Sequence, residues 1–192
     1  MNITLDLKPS LDLTDGQFTE ICRRNRDLRL ERTATGELVI MPPTGGETGA
    51  RNSSLTGQLW FWNRQTQLGR TFDSSTGFRL PDGAIRSPDA AWVTQQRWQD
   101  LAPVDRQGFV PLCPDFAVEL KSATDDWREL QVKLQSYITN GLRLGWLIDP
   151  QARLVLIYQP EQPVLTVNAP TQLTGDPVLP GFVLDLTELF TA

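Results

Sequence analysis

Apolar and polar positions along this chain follow two periods, and the switches between them mark out its elements. Phe18, Ile21 and Cys22 recur at helical spacing behind Thr14-Asp15-Gly16-Gln17, a capping box, and predict a short helix. From Leu28 to Met41 the pattern becomes alternation on either side of Ala34-Thr35-Gly36, which predicts a hairpin. Pro42-Pro43-Thr44-Gly45-Gly46 breaks it. A longer helix is expected from about Glu47 to Gln67, with Leu55, Leu59 and Trp62 on one face and Gly69 as its stop. Short strands follow at Arg70–Ser74, Gly77–Leu80 and, after a Pro81-Asp82-Gly83 turn, Ala84–Val93; Gln95–Leu101 reads as one short helix. Asp115–Lys121 is the clearest strand, leading to a helix capped by Thr124 or Asp125 and ended by Gly141. Leu144–Asp149 and Arg153–Gln159 pair around Pro150-Gln151-Ala152, and short strands and a last turn at Leu186–Phe190 complete the chain.

Helix, strands, helix, strands is the order of a mixed α/β (α+β) protein with one central sheet. A length of 192 residues predicts a single domain over 1–192, and a 40% apolar share is enough for a proper core. No apolar run approaches the ~18 residues of a membrane span. The opening Met1-Asn2-Ile3-Thr4 has neither a basic nor an apolar leader pattern, and Cys22 and Cys113 read as free thiols. A cytoplasmic protein with no membrane partner is expected.

Composition narrows the chemistry. The chain has no histidine, which excludes Ser-His-Asp and Cys-His nucleophile systems and histidine-ligated zinc. Two cysteines are too few for a thiolate metal site. Any catalysis must use carboxylates, lysines, arginines, tyrosines and hydroxyls, with or without a hard, oxygen-loving metal. The net charge of −5 argues against non-specific attraction to nucleic acid, though a local basic patch is compatible with it.

In the strand Asp115-Phe116-Ala117-Val118-Glu119-Leu120-Lys121, alternation puts Phe116, Val118 and Leu120 on a core face and Asp115, Ala117, Glu119 and Lys121 on the other. A plain amphipathic surface strand reads the same way. Ser87-Pro88-Asp89-Ala90-Ala91 opens another strand. If the two are neighbours, Asp89 and Glu119 can hold one Mg²⁺ or Mn²⁺, and a nearby lysine offsets charge developing on a phosphoryl group.

Pro-Asp followed by Glu-x-Lys is the signature of the PD-(D/E)XK nuclease superfamily. The fuller set of Ser87-Pro88-Asp89, Pro114-Asp115-Phe116, Glu119, Lys133-x-x-x-Tyr137 and Gly145-Trp146-Leu147-Ile148-Asp149-Pro150 resembles the Uma-two family of restriction-endonuclease-like proteins. Gly36-Glu37-Leu38-Val39-Ile40-Met41 fits it too. The resemblance implies a restriction-endonuclease-like αβββαβ core, a central mixed sheet flanked by helices, with extra N-terminal and C-terminal hairpins. It implies a metal-dependent DNA endonuclease, with DNA and a second copy in a homodimer as partners. Asp89 and Glu119 are then the metal ligands, and Lys121 or Lys133 the catalytic lysine. Glu47 is the candidate for an additional acid from the first core helix; an acid suited to a helix N-terminus is its plainer reading. Asp115 is a candidate for contact with the metal or its ligands, and Asp82 a turn residue.

Two rival functions stay open: a silent nuclease fold that binds nucleic acid or protein, and a paired-carboxylate glycosidase, which has no use for Lys121. Five arginines between Arg23 and Arg32 suggest either phosphate tracking or, as the favoured reading, a solvated helix end beside Asp27 and Glu31. Trp60, Trp62, Trp92 and Trp146 are expected in the core.

Overall fold

Thr14 caps the first helix as its sequence dictates. Its hydroxyl accepts from the Gln17 N–H while Gln17 accepts from the Thr14 N–H, in a computed structural model that describes residues 2–191. In chain order the elements begin with β1 (Ile3–Leu5), α1 (Asp15–Arg24), β2 (Arg29–Arg32), β3 (Leu38–Met41) and α2 (Gly46–Thr66). Then come β4 (Gly69–Asp73), β5 (Phe78–Arg79), β6 (Ile85–Arg86), β7 (Ala90–Thr94), α3 (Gln95–Asp100) and β8 (Phe116–Leu120). The remainder is α4 (Trp127–Thr139), β9 (Leu144–Asp149), β10 (Leu154–Tyr158), β11 (Leu165–Asn168), β12 (Gln172–Thr174), β13 (Val183–Asp185) and α5 (Thr187–Thr191).

A six-stranded sheet of order β11-β10-β9-β8-β7-β4 forms the centre. Only β8 and β9 run parallel, because α4 carries the chain across between them. The run α2, β4, β7, β8, α4, β9 is the αβββαβ order. One face of this sheet packs Phe116, Val118 and Leu120 against Leu55, Leu59 and Trp62 of α2 and the C-terminal segment around Phe182 and Leu189. The other face is covered by Leu130, Leu134 and Tyr137 of α4, which meet Ala91, Ala117 and Leu147. β8 is therefore buried on both sides, and the face assigned to Glu119 lies beneath a helix.

A second sheet of order β1-β3-β2-β6-β5 stands beside the first, and β12 pairs with β13. The continuous strand expected over Ala84–Val93 is two strands in two sheets: β6 pairs with β2, whereas β7 pairs with β4 and β8. Ser87-Pro88-Asp89 carries the chain between them, and Pro88 has no N–H for a ladder.

Two helix boundaries differ from expectation. Asp126, rather than Thr124 or Asp125, caps α4 by accepting from the N–H groups of Arg128 and Glu129, while Asp125 accepts from Ser122. Gln67 in the left-handed region ends α2, and Gly69 has another role. A Cβ on Gly69 would lie 2.2 Å from the Val93 carbonyl oxygen and 2.5 Å from the Trp92 ring. Trp60 is exposed, unlike Trp62, Trp92 and Trp146. Among the described residues, no helix is long and apolar enough to cross a membrane.

Candidate active site

Asp89 and Glu119 reach the same place from adjacent strands. The antiparallel register pairs Ala90 with Val118, so continuing it by one residue sets Asp89 across from Glu119. The Asp89 N–H donates to the Val118 carbonyl, and its carboxylate accepts from the Leu120 N–H at 2.8 Å and from the Asn52 amide at 3.2 Å. Glu119, only 3% exposed, accepts from the Tyr137 hydroxyl at 3.2 Å. Both acids line a cavity of about 940 Å³ between the central sheet, the N-terminal sheet and the first turns of α2 and α4.

Lys133 is the cation at the centre of this cluster. It sits one helical turn before Tyr137, on the face of α4 turned to the sheet. Its Nζ lies 2.8 Å from Glu119 and 2.9 Å from Glu31 of β2, and it also reaches the Ser87 carbonyl at 3.5 Å. Glu31 is 2% exposed and accepts in addition from Arg86 and from the Ser87 N–H.

Charges here are unequally satisfied. Burial pushes the Glu119 carboxyl up, Asp89 and Glu31 add to that, and Lys133 opposes it, leaving it at about 8. Burial raises Asp89 as well, against the Leu120 hydrogen bond and the field of Lys133. Burial also pushes Glu31 upward, but Lys133 and Arg86 together outweigh it and hold Glu31 below the usual range. Lys133 is destabilised as a cation by burial, yet Glu119 and Glu31 prevail and raise it to about 12. One ammonium thus serves two carboxylates, and Glu119 is the one left short.

The other candidates stand apart from this centre. Lys121 follows the last residue of β8, and its Nζ lies 3.7 Å from Asp149 and 3.2 Å from the Ser122 carbonyl. Glu47 lines the mouth of the cavity with a 76% exposed side chain, 3.7 Å from Arg51. Asp115 binds Arg97 at 3.0 Å and Arg143 at 3.6 Å and accepts from the Thr94 N–H, at the opposite end of β8. Asp82 accepts from Ala84 and Asn140, as a turn residue should.

Reasoning from sequence gave Glu31, Arg86 and Asn52 no place in the site and named Tyr137 only as part of a motif. The arginine-rich stretch is not one solvated helix end. Arg23 and Arg24 pair with Glu20 on α1, but Arg32 is buried against Asp15 and the Leu13 carbonyl, and Arg29 lines the cavity. The available signal was Glu31 itself, an acid between Leu30 and the hairpin turn on a strand with apolar neighbours.

The donor set suits a hard divalent cation. Glu119 is a buried carboxylate raised further by its neighbour Asp89, and the Asn52 Oδ1 beside Asp89 is buried without a partner among the described residues. No group of three or more His, Cys, Asp or Glu side chains among the described residues forms a closed metal cage. Two carboxylates are a common protein contribution to a Mg²⁺ site, because that ion dehydrates reluctantly and keeps several waters.

The family model described as "Uma2: Putative restriction endonuclease" matches residues 15–187. A crystal structure of a putative nuclease from Anabaena variabilis superposes with a TM-score of 0.70 at 19% identity, covering 84% of this chain and 89% of that one. No curated protein matches.

Proposed function

Because the chain belongs to the Uma2 family of restriction-endonuclease-like proteins, we propose that it is a metal-dependent endonuclease that hydrolyses phosphodiester bonds in DNA. The observation that carries this reading is the convergence of Asp89, Glu119 and Lys133 on one cavity, with the Lys133 Nζ 2.8 Å from Glu119. Asp89 and Glu119 would hold Mg²⁺ or Mn²⁺. When bound, such an ion polarises a phosphoryl oxygen and makes water nucleophilic near neutral pH.

The chain's own residues do the rest. Lys133 is held as an ammonium by two acids, so it acts by charge: it stabilises the added negative charge on the phosphoryl oxygens and does not abstract a proton. Tyr137 fixes the Glu119 carboxylate by donating to it, and the Asn52 amide and Leu120 N–H fix Asp89. Arg29 and Arg86 supply further positive charge within the cavity. In this reading Lys133, not Lys121, is the catalytic lysine, and Glu47 belongs to the mouth of the cavity.

A silent nuclease fold is the second reading, favoured by the near-complete burial of Glu119 and Glu31. Plasmid DNA incubated with purified protein and Mg²⁺ or Mn²⁺, beside Asp89→Asn, Glu119→Gln and Lys133→Met, separates the two. Cation-dependent nicking or linearisation that these variants lose supports the enzyme. DNA left intact by wild type and variants alike overturns it.

A further inference from the structure

The outer face of α2 carries Gly49, Ala50, Ser53 and Gly57, followed by Trp60 and Phe61, all exposed. Trp60 keeps 48% of its surface in water and Phe61 59%. At about 100° per residue these six side chains fall within about 60° of one line along the helix. Two properties of this face lack a cause inside the chain. Glycine within a helix is destabilising relative to alanine. Yet a Cβ added at Gly46, Gly49 or Gly57 would meet no heavy atom within 4 Å, so the chain's own packing does not require them. Two adjacent aromatic rings also stand in solvent although Leu55, Leu59 and Trp62 already supply the helix's core side.

We propose that this face is the contact between two copies of the chain, packed as an antiparallel pair of α2 helices about a two-fold axis. The pattern is complementary to itself, as an isologous contact requires. With Ser53 of one copy level with Gly57 of the other, Trp60 lies within one residue of the level of Gly49 and Phe61 within one residue of that of Ala50. Each pair falls on the same side of the contact line, and each occurs twice. Small residues let the two backbones approach, and the rings fill the space they leave as buried aromatic anchors. The ends match in charge as well. In the same register Arg64 of one copy comes level with Gly46 and Glu47 of the other, so the cation at one helix's C-terminal end meets the acid at its partner's N-terminal end. Arg64 already lies over the Trp60 ring at 5.2 Å and is part of this face. Since Gly46, Glu47 and Thr48 line the cavity, pairing brings Arg64 of the second copy to its lip. There Glu37, Glu47, Asp125, Asp126 and Glu129 outnumber Arg29 and Arg128.

Light scattering coupled to size exclusion should give twice the chain's 21.6 kDa at micromolar concentration. Trp60→Ala removes two symmetry-related aromatic hot spots and should weaken the dimer about 30-fold or more. Gly57→Gln, a side chain the isolated helix has room for, should give a monomer with an unchanged far-ultraviolet spectrum. The register is read by mixing Ser53→Cys protein with Gly57→Cys protein, both in a Cys22→Ser background, under mild oxidation. A covalent dimer should form in the mixture and not in either protein alone. A monomeric wild type overturns the proposal. So does a dimer that Trp60→Ala and Gly57→Gln leave intact, or a mixture that does not cross-link.

Discussion

Glu31 and Lys133 meet at 2.9 Å from different layers of the molecule, Glu31 on a strand of the N-terminal sheet and Lys133 on the helix that covers the central one. The same ammonium lies 2.8 Å from Glu119. The tie between the two layers is therefore also the counter-charge of the candidate site, and the two roles cannot be altered separately.

Lys133→Met should destabilise the protein by about 3–5 kcal/mol, because it leaves buried Glu119 without a cation and Glu31 with Arg86 alone. Glu31→Gln in the same chain should recover part of that loss. Thermal or urea unfolding of the two single variants and the double variant measures the coupling, and strict additivity would contradict the shared-cation picture.

Lys121→Met should change any cation-dependent cleavage rate by less than about tenfold, a barrier change of about 1.4 kcal/mol. Its ammonium pairs with Asp149 at 3.7 Å, away from Glu119. Lys133→Met should lower the rate by about 100-fold or more, in the range seen when one charge-stabilising donor is removed. A steady-state assay on a short duplex, with folding checked by circular dichroism, decides between the two lysines. The reverse ranking would move the catalytic role to Lys121.

Stability of the metal-free protein should fall as pH rises from about 4.5 to about 8, the unfolded and folded values of Glu119. The sign follows from the direction of the shift. Below the unfolded value both states hold the proton and the contribution is complete; above it the unfolded chain releases the proton first. Mg²⁺ should reverse the trend, since it competes with that proton. Melting curves across this pH range, with Mg²⁺ and with chelator, test it, and identical slopes in both would count against Glu119 as a ligand.

The legible and illegible parts of the fold divide along a physical line. Capping boxes, hairpin turns and alternation are local, so α1, the β2–β3 hairpin, the β9–β10 hairpin and the span of β8 could be read from neighbouring residues. The sheet change at Ser87-Pro88-Asp89 depends on which strand waits on the far side, and no local pattern reports that. The site divides likewise. Asp89 and Glu119 could be proposed from sequence because one directly precedes a strand and the other lies within one, at a recognisable spacing. Glu31 could not, since an acid among arginines looks solvated until Lys133 and Arg86 are brought to it from elsewhere in the chain.

Cys113 should be inert to thiol reagents in the folded protein. Burial pushes its thiol up to about 12, so almost none is thiolate at pH 8. Cys22, half-buried and also raised, should react slowly, and both should react at once in denaturant. A stopped-flow titration with a disulfide chromogen checks this; fast modification of Cys113 in native protein would show that its surroundings open.

Gly69→Ala should cost about 1–3 kcal/mol, as overpacking does, because the added methyl would press on the Val93 carbonyl and the Trp92 ring. Its effect is measured by unfolding alone, since Gly69 opens β4 at the sheet edge far along the chain from Lys133.

The three-residue passage at Ser87-Pro88-Asp89 has a consequence for a chain still being made. Glu31 and Arg86 can pair within the N-terminal sheet once β6 is made, but the Asp89 carboxylate lacks its Leu120 N–H until β8 lies beside β7. Glu119 gains its counter-charge only when Lys133 has left the ribosome and α4 has docked. The cluster is therefore complete only once α4 exists, and a chain that stops short of it carries the acids without the ammonium that joins them.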